Sequence, residues 1–367
     1  FVEEVQNELQ GTLPTANNSS IGSDLVGWNG FKKILDEGTA GGKLFTDDIV
    51  RTYSLLYTGS LAYSGGVVAP NGDIHFIPWS ANRGQKISAD GVVSTYTLQY
   101  TTTTAYFGGV LAPNGDIHFV PYSANRGQKI SANGAVSTYT LTYSVNNAYA
   151  GGVLSPSGEI HFVPASAAVG QKVSANGATS TYTLLNTATN AYIGGVLAPN
   201  GDIYFVPYGS GIAQKISADG VVSTYPYSSP GGTSYAGGVL APNGEIHFVP
   251  NSASRGTKID INGNAVTYTL VYTNSFGAYR GGVLAPNGDI HFIPYQGNRG
   301  QKIAVDGTIS TYSLVYTTGT SYQGGVLAPN GNIYFVPLSA AVGQIISNNS
   351  GVTFPKGVLF HPYLNKF

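Results

Sequence analysis

The sequence contains no cysteine, which excludes a disulfide framework and any thiolate metal site. It contains no methionine, not even at position 1, so the chain reads as a processed product whose targeting signal, if it had one, is gone. Charged residues make up 10% of the chain, low for a globular protein. Ser, Thr, Asn, Gly and Tyr must therefore cover the surface. A formal net charge of −1 gives no broad electrostatic case for nucleic acid or an anionic membrane as partner. No apolar run is long enough to span a membrane. Low charge, many hydroxyls and no cysteine point to an extracellular or periplasmic location.

What the sequence does have is repetition. The phrase GGVLAPNGDIHFVP at residues 108–121 recurs seven times. Its first glycine falls at Gly65, Gly108, Gly151, Gly194, Gly237, Gly281 and Gly324, at steps of 43 residues and once 44. That is the period of a four-stranded propeller blade. Each unit reads as strands A to D, at 109–112, 117–120, 128–131 and 136–141 in the second copy. Asn114-Gly115 and Asn133-Gly134 supply the positive φ angles of tight hairpins. Strand A is expected innermost, where a residue without Cβ lets the backbones of converging blades approach. The pattern predicts one all-β unit, a monomeric seven-bladed β-propeller over residues 43–350 with four-stranded antiparallel blades.

The two ends are expected to close the ring. Residues 42–57 align with 85–100 at the same offset, as a strand C and D without A and B. The seventh copy lacks a matching strand D after Ser347. Residues 49–56 are therefore assigned as the outer strand of blade seven, which removes a free sheet edge; residues 352–354 are the alternative. Residues 1–42 are read as an irregular extension and 351–367 as a tail packed on the ring.

The repeated phrase of glycine, apolar residue, Asn-Gly, Ile and aromatic resembles the seven-bladed propellers of NHL-like repeats. More loosely it resembles the streptogramin lyases and regucalcin-like lactonases. It departs from them at Ala112-Pro113, where those families usually carry Val-Asp, and at Val120-Pro121, where they usually carry Ala-Asp. The resemblance implies the fold; activity has to be argued from a site.

Successive loops alternate between the two sides of such a disc. The A–B and C–D turns are nearly constant, whereas the B–C and D–A loops differ among copies, so the ligand is placed on the B–C and D–A side. Three sets of residues are candidates there. The first follows strand B: Trp79, Tyr122, Tyr208 and Tyr295. The second is the B–C loop arginines Arg83, Arg126, Arg255 and Arg299. An aromatic beside a guanidinium is suited to a sugar or an anionic group. The third precedes the glycine pair and rings the channel mouth, with Arg280 and Gln323 its polar members.

Other repeated residues read as structural. Seven tyrosines two before each glycine pair, and seven in strand D, suit inter-blade packing. His75, His118, His161, His247 and His291 share one strand B position that Tyr204 and Tyr334 fill in copies four and seven, which suits a flat hydrogen-bonding ring between blades rather than a metal ligand. Asp73, Asp116, Glu159, Asp202, Glu245 and Asp289 follow the first turn; no cofactor or metal is expected, beyond a cation such carboxylates could hold at the channel's far mouth. No nucleophile with a base and an orienting group is visible, and no catalytic residue is assigned. The sequence reading therefore favours a non-enzymatic binding or adhesion module, lectin-like, for a glycan or protein. The alternatives are a channel-centred, metal-dependent lyase or lactonase using Arg280 and Gln323, and a structural scaffold.

Overall fold

In the computed structural model, which describes residues 49–347, the strands form seven four-stranded antiparallel sheets. Blade 1 is typical: A is Tyr63–Val68, B is Ile74–Pro78, C is Gly84–Ile87 and D is Val93–Tyr96, hydrogen-bonded in that order. Consecutive A strands pack side by side around the axis, so the sheets stand radially as propeller blades. Strands A and B are buried along their whole length in most blades, while strand D is half exposed. Hydrophobic clusters form between neighbouring blades; that of Tyr63, Phe76 and Ile87 also takes in Val326 and Val336 of blade 7.

The ring closes as the sequence predicts. Ile49–Tyr53 pairs antiparallel with Gly343–Ser347 and is the outer strand of blade 7. Tyr53 meets Tyr334 edge to face at 5.6 Å. The alternative donor at 352–354, the surplus match at 43–45, the 1–42 extension and the 351–367 tail lie outside the described residues.

Strand A begins earlier than predicted, at the tyrosine before the glycine pair, because the pair is a β-bulge. In every blade the A–B register shifts between this tyrosine and the second glycine. The first glycine of each pair has φ between +74° and +152°, a region closed to most L-residues. The seven tyrosines are fully buried, and each hydroxyl donates within its own blade, as Tyr63 does to the Arg83 carbonyl at 3.2 Å.

Links between blades come from a residue type the sequence reading passed over. The Gln85 Oε1 accepts the backbone N–H of Leu56 and Tyr57, both at 2.9 Å, from the blade before. Gln128, Gln214, Gln301 and Gln344 repeat this two-pronged contact.

Blade 4 departs from its neighbours for a steric reason. In six blades a strand C glycine lies under the strand D tyrosine, and a Cβ there would overlap the ring. In blade 4 that position is Ala213, paired with Tyr225. Its methyl cannot share the space, and the Tyr225 hydroxyl instead donates to the Phe205 carbonyl at 2.7 Å. Tyr204 and Tyr225 then line a groove of about 640 Å³ between blades 4 and 5.

Candidate functional site

The residues after strand B are held by a closed circle of backbone hydrogen bonds. Each of their carbonyls accepts the N–H of the residue before the next strand A. These bonds include Ala105 to Trp79 at 2.8 Å, Ala148 to Tyr122 at 2.7 Å, Ser234 to Tyr208 at 2.9 Å and Ser321 to Tyr295 at 3.0 Å. Ala62 to Leu338, at 2.6 Å, completes the circle between blades 7 and 1. Inside it, the first glycines of neighbouring blades nearly touch: a Cβ on Gly151 would lie 2.9 Å from the Gly194 Cα, and one on Gly281 2.6 Å from the Gly324 Cα. The space left between them is about 20 Å³, room for one water. The expected open channel is thus a glycine collar, and the mouth above it is a shallow dish.

The dish is aromatic with one cation. Trp79 lies 4.7 Å from Tyr122 and 5.0 Å from Phe107, and Phe107 lies 5.8 Å from Tyr122. The Arg280 guanidinium stacks 3.8 Å over the Tyr295 ring, a favoured arrangement for a planar cation. Its Nη1 donates to Gln323 Oε1 at 3.2 Å, while its buried Nε has no hydrogen-bond partner among the described residues. Burial raises the Tyr122 phenol above its ordinary value; Tyr208 adds to the rise and Arg280 opposes it. Phe107 and Gln323 line the same small space over the collar, which brings the aromatic group and the Arg280–Gln323 pair into one site.

The B–C loop arginines are not part of this cluster. Arg83, Arg126 and Arg299 are exposed and lie over Tyr57, Tyr100 and Tyr272 at 5.9, 5.3 and 5.5 Å. Arg255 is exposed, and its carbonyl accepts from Tyr235. The expected pairing of these arginines with Trp79, Tyr122, Tyr208 and Tyr295 is corrected: their stems follow strand C, and the nearest ring belongs to the preceding D–A loop. Phe107 is the dish residue that sequence reasoning did not single out. It carried a signal, being aromatic where the other copies have Ser, Ala, Ile, Arg or Gln.

The carboxylate ring does not face the axis. Each member is bonded to a lysine 13 residues on in its own blade, from Lys86–Asp73 at 2.6 Å to Lys302–Asp289 at 3.1 Å. Blade 7 has lost both partners together, with Asn332 and Ile345 in their places. The alternative of a cation at the far mouth finds no site in these carboxylates, since their oxygens already hold an ammonium group.

The histidines stack on the strand D tyrosine of their own blade and face the next blade, as the sequence suggests: His118 also bonds to the Ala175 backbone of blade 3, and Tyr334 and Tyr204 at the same position pack with blades 1 and 5. His75, His118, His247 and His291 pair through Nδ1 with the strand D tyrosine at 3.2–3.4 Å. Burial, the largest cause, pushes His75, His118 and His247 down to about 4, so they are neutral at neutral pH. Unfolded imidazoles titrate near ~6.5 and take up protons first. Stability is therefore full above about pH 6.5 and is lost as pH falls towards 4. The melting temperature is expected to drop across that window, and His118→Tyr, the residue type of blades 4 and 7, to flatten part of the drop. A melting temperature constant from pH 7 to 4 would contradict this assignment.

Comparison with known proteins places the chain. The profile of the virginiamycin B lyase family matches residues 35–272. The chain belongs to the virginiamycin B lyase family. Among solved structures, a streptogramin B lyase superposes with a TM-score of 0.71 at 20% identity, covering 81% of this chain and 97% of that one. A catalytically inactive histidine-to-alanine variant of the Staphylococcus aureus virginiamycin B lyase, solved with quinupristin, gives 0.71 at 17% identity, covering 82% and 99%. The extracellular domain of a hybrid two-component system from B. thetaiotaomicron gives 0.64 at 11% identity, covering 82% of this chain and 41% of that one. These likenesses show the propeller fold. A comparison with curated proteins finds no match.

Membership of the virginiamycin B lyase family, an enzyme family, overturns the reading of this chain as a non-enzymatic adhesion module and favours the lyase alternative. The metal in that alternative is a different matter. Among the described residues no three His, Asp or Glu side chains converge on one point, and the polar groups of the dish, Arg280 and Gln323, include a cation that would repel a metal ion. The residues of this virginiamycin B lyase family member do not fit a metal at the mouth. Nor does a described histidine reach the dish, since all five lie in strand B; His361 lies outside the described residues.

Proposed function

We propose that this chain is a lyase-type enzyme whose substrate sits in the dish, an aromatic-bearing molecule cleaved beside a carbonyl. The observation that carries this reading is Arg280. It is stacked on Tyr295 and tied to Gln323 through Nη1, with Nε buried, which leaves the Nη edge to meet a ligand. A substrate ring packs on Trp79, Phe107 and Tyr122. The carbonyl oxygen accepts from Arg280, which stabilises the negative charge that builds as the adjoining carbon loses its proton; a C=C bond forms to the next carbon, whose C–O bond breaks with a carboxylate leaving. Tyr122, with its phenol raised, stays protonated and serves as a second donor. The dish has no histidine or carboxylate among its described residues, and no base is assigned there. A location outside the cytoplasm belongs to the same reading, supported by the cysteine-free composition and by extracellular domains among the structural neighbours.

The test is turnover of quinupristin, the compound solved with the Staphylococcus aureus relative, and of cyclic esters that carry aromatic rings, followed by mass spectrometry. Ring opening by elimination leaves the mass unchanged, whereas a lactonase would add one water. Arg280→Ala is expected to lower turnover by roughly 10²–10³-fold, the range for removing one donor to a developing oxyanion. Arg280→Lys is expected to restore little, because an ammonium neither stacks nor forks. Absence of product across the panel, or full activity in Arg280→Ala, would overturn the proposal.

A further inference from the structure

The two faces of the disc carry opposite charge, which the overall net charge conceals. All carboxylates of the described residues lie on the turn side. Six follow the first turn, from Asp73 to Asp289, and the other four, Asp90, Asp219, Asp260 and Asp306, lie in the second. The six strand C lysines are bonded to the first set. The opposite side carries Arg83, Arg126, Arg255, Arg280 and Arg299 and no described Asp or Glu. Arg280 alone among the described cations stands at the dish, stacked on Tyr295 and bonded to Gln323, where partial desolvation strengthens any charge pairing. A cationic ligand would be repelled by this guanidinium, and a neutral one would leave its charge uncompensated in a partly desolvated site, which is costly.

From this arrangement we infer that the dish selects an anionic aromatic substrate, one with a carboxylate, sulfonate or phosphate beside its ring. The anion and the carbonyl oxygen share the Arg280 Nη donors, and the ring lies on Trp79 and Tyr122. The exposed arginines attract it from a distance, in a salt-dependent way. The inference rests on the dish being the substrate site and adds the charge class of what it takes.

Binding can be read without turnover. The chain has two tryptophans, Trp28 and Trp79, so a Trp28→Phe background leaves Trp79 as the sole reporter. The probes are 2-naphthoate, 2-naphthamide and 2-naphthylmethylamine, titrated by calorimetry and by Trp79 emission. Naphthoate is expected to bind at least ~10-fold more tightly than naphthamide, the size of one charge-assisted contact, and the amine to bind weakest. Added salt should weaken naphthoate and leave naphthamide unchanged. Arg280→Gln should bring naphthoate down to the amide's level, with Arg280→Lys between, both checked for an unchanged melting transition. Equal binding of the three probes, naphthoate binding undiminished in Arg280→Gln, or no saturable naphthoate binding would each overturn the inference. Naphthoate selectivity without turnover of any ester would sink the lyase proposal and leave this one standing. Turnover without charge preference would do the reverse.

Discussion

A chain lacking residues 1–53 is expected to lose its cooperative unfolding transition, while one lacking only 1–48 serves as the comparison that isolates the strand. Ile49–Tyr53 gives blade 7 its fourth strand through five register pairs, Ile49 with Ser347 to Tyr53 with Gly343. Without it, the Gly343–Ser347 strand becomes a bare edge able to pair with another chain. The loss extends to packing. The Tyr53 ring covers Gly343, where a Cβ would overlap it, and also packs on Tyr334. Val50 and Tyr53 pack against the clusters on either face of blade 7. The cost is on the order of 5 kcal/mol or more, comparable with the whole stability of an ordinary domain. Urea denaturation followed by circular dichroism, with size-exclusion chromatography for edge pairing, measures it. A monomeric shortened chain with the comparison chain's midpoint would refute the closure argument.

The second large effect is at the collar. Gly281→Ala is expected to destabilise by ~2–5 kcal/mol, combining ~1–2 for a side chain forced into the left-handed region with ~1–3 for overpacking. Gly281 has φ +81°, and its new methyl would meet backbone, the Gly324 Cα, which cannot turn aside. Gly91→Ala is the control: φ is +83°, but nothing lies within 4 Å of the added carbon, so only the conformational part applies. Two substitutions with the same backbone demand should therefore separate clearly in denaturation midpoint. The collar also positions the site, because Arg280 and Gln323 each directly precede a collar glycine. Gly281→Ala should thus also weaken turnover in whatever fraction stays folded. Equal destabilisation by the two substitutions would show that the axis is not closely packed.

Much of the site was within reach of the sequence, and its failures share a cause. Trp79, Tyr122, Tyr208, Tyr295, Arg280 and Gln323 were identified as facing one side, because loop alternation in a blade follows from strand count alone. Their grouping was misjudged. The arginines nearest in the repeat, Arg83, Arg126 and Arg299, stack on Tyr57, Tyr100 and Tyr272 instead. The residues repeated seven times are packing residues, as read, and the resemblance to streptogramin lyases was visible in the repeat; the choice of a non-enzymatic module over the lyase alternative is what the profile match overturned.

The chain's own order determined the blade period, the hairpin turns, the place of the glycine pairs and the strand that closes the ring. Each depends on local sterics or on a fixed offset, both visible in one dimension. Only the tertiary structure decided that the axis is shut, that Trp79 and Phe107 from different blades meet, and that Arg280 settles on Tyr295. Those outcomes depend on distances across a closed ring, and such distances exist only once seven sheets have converged.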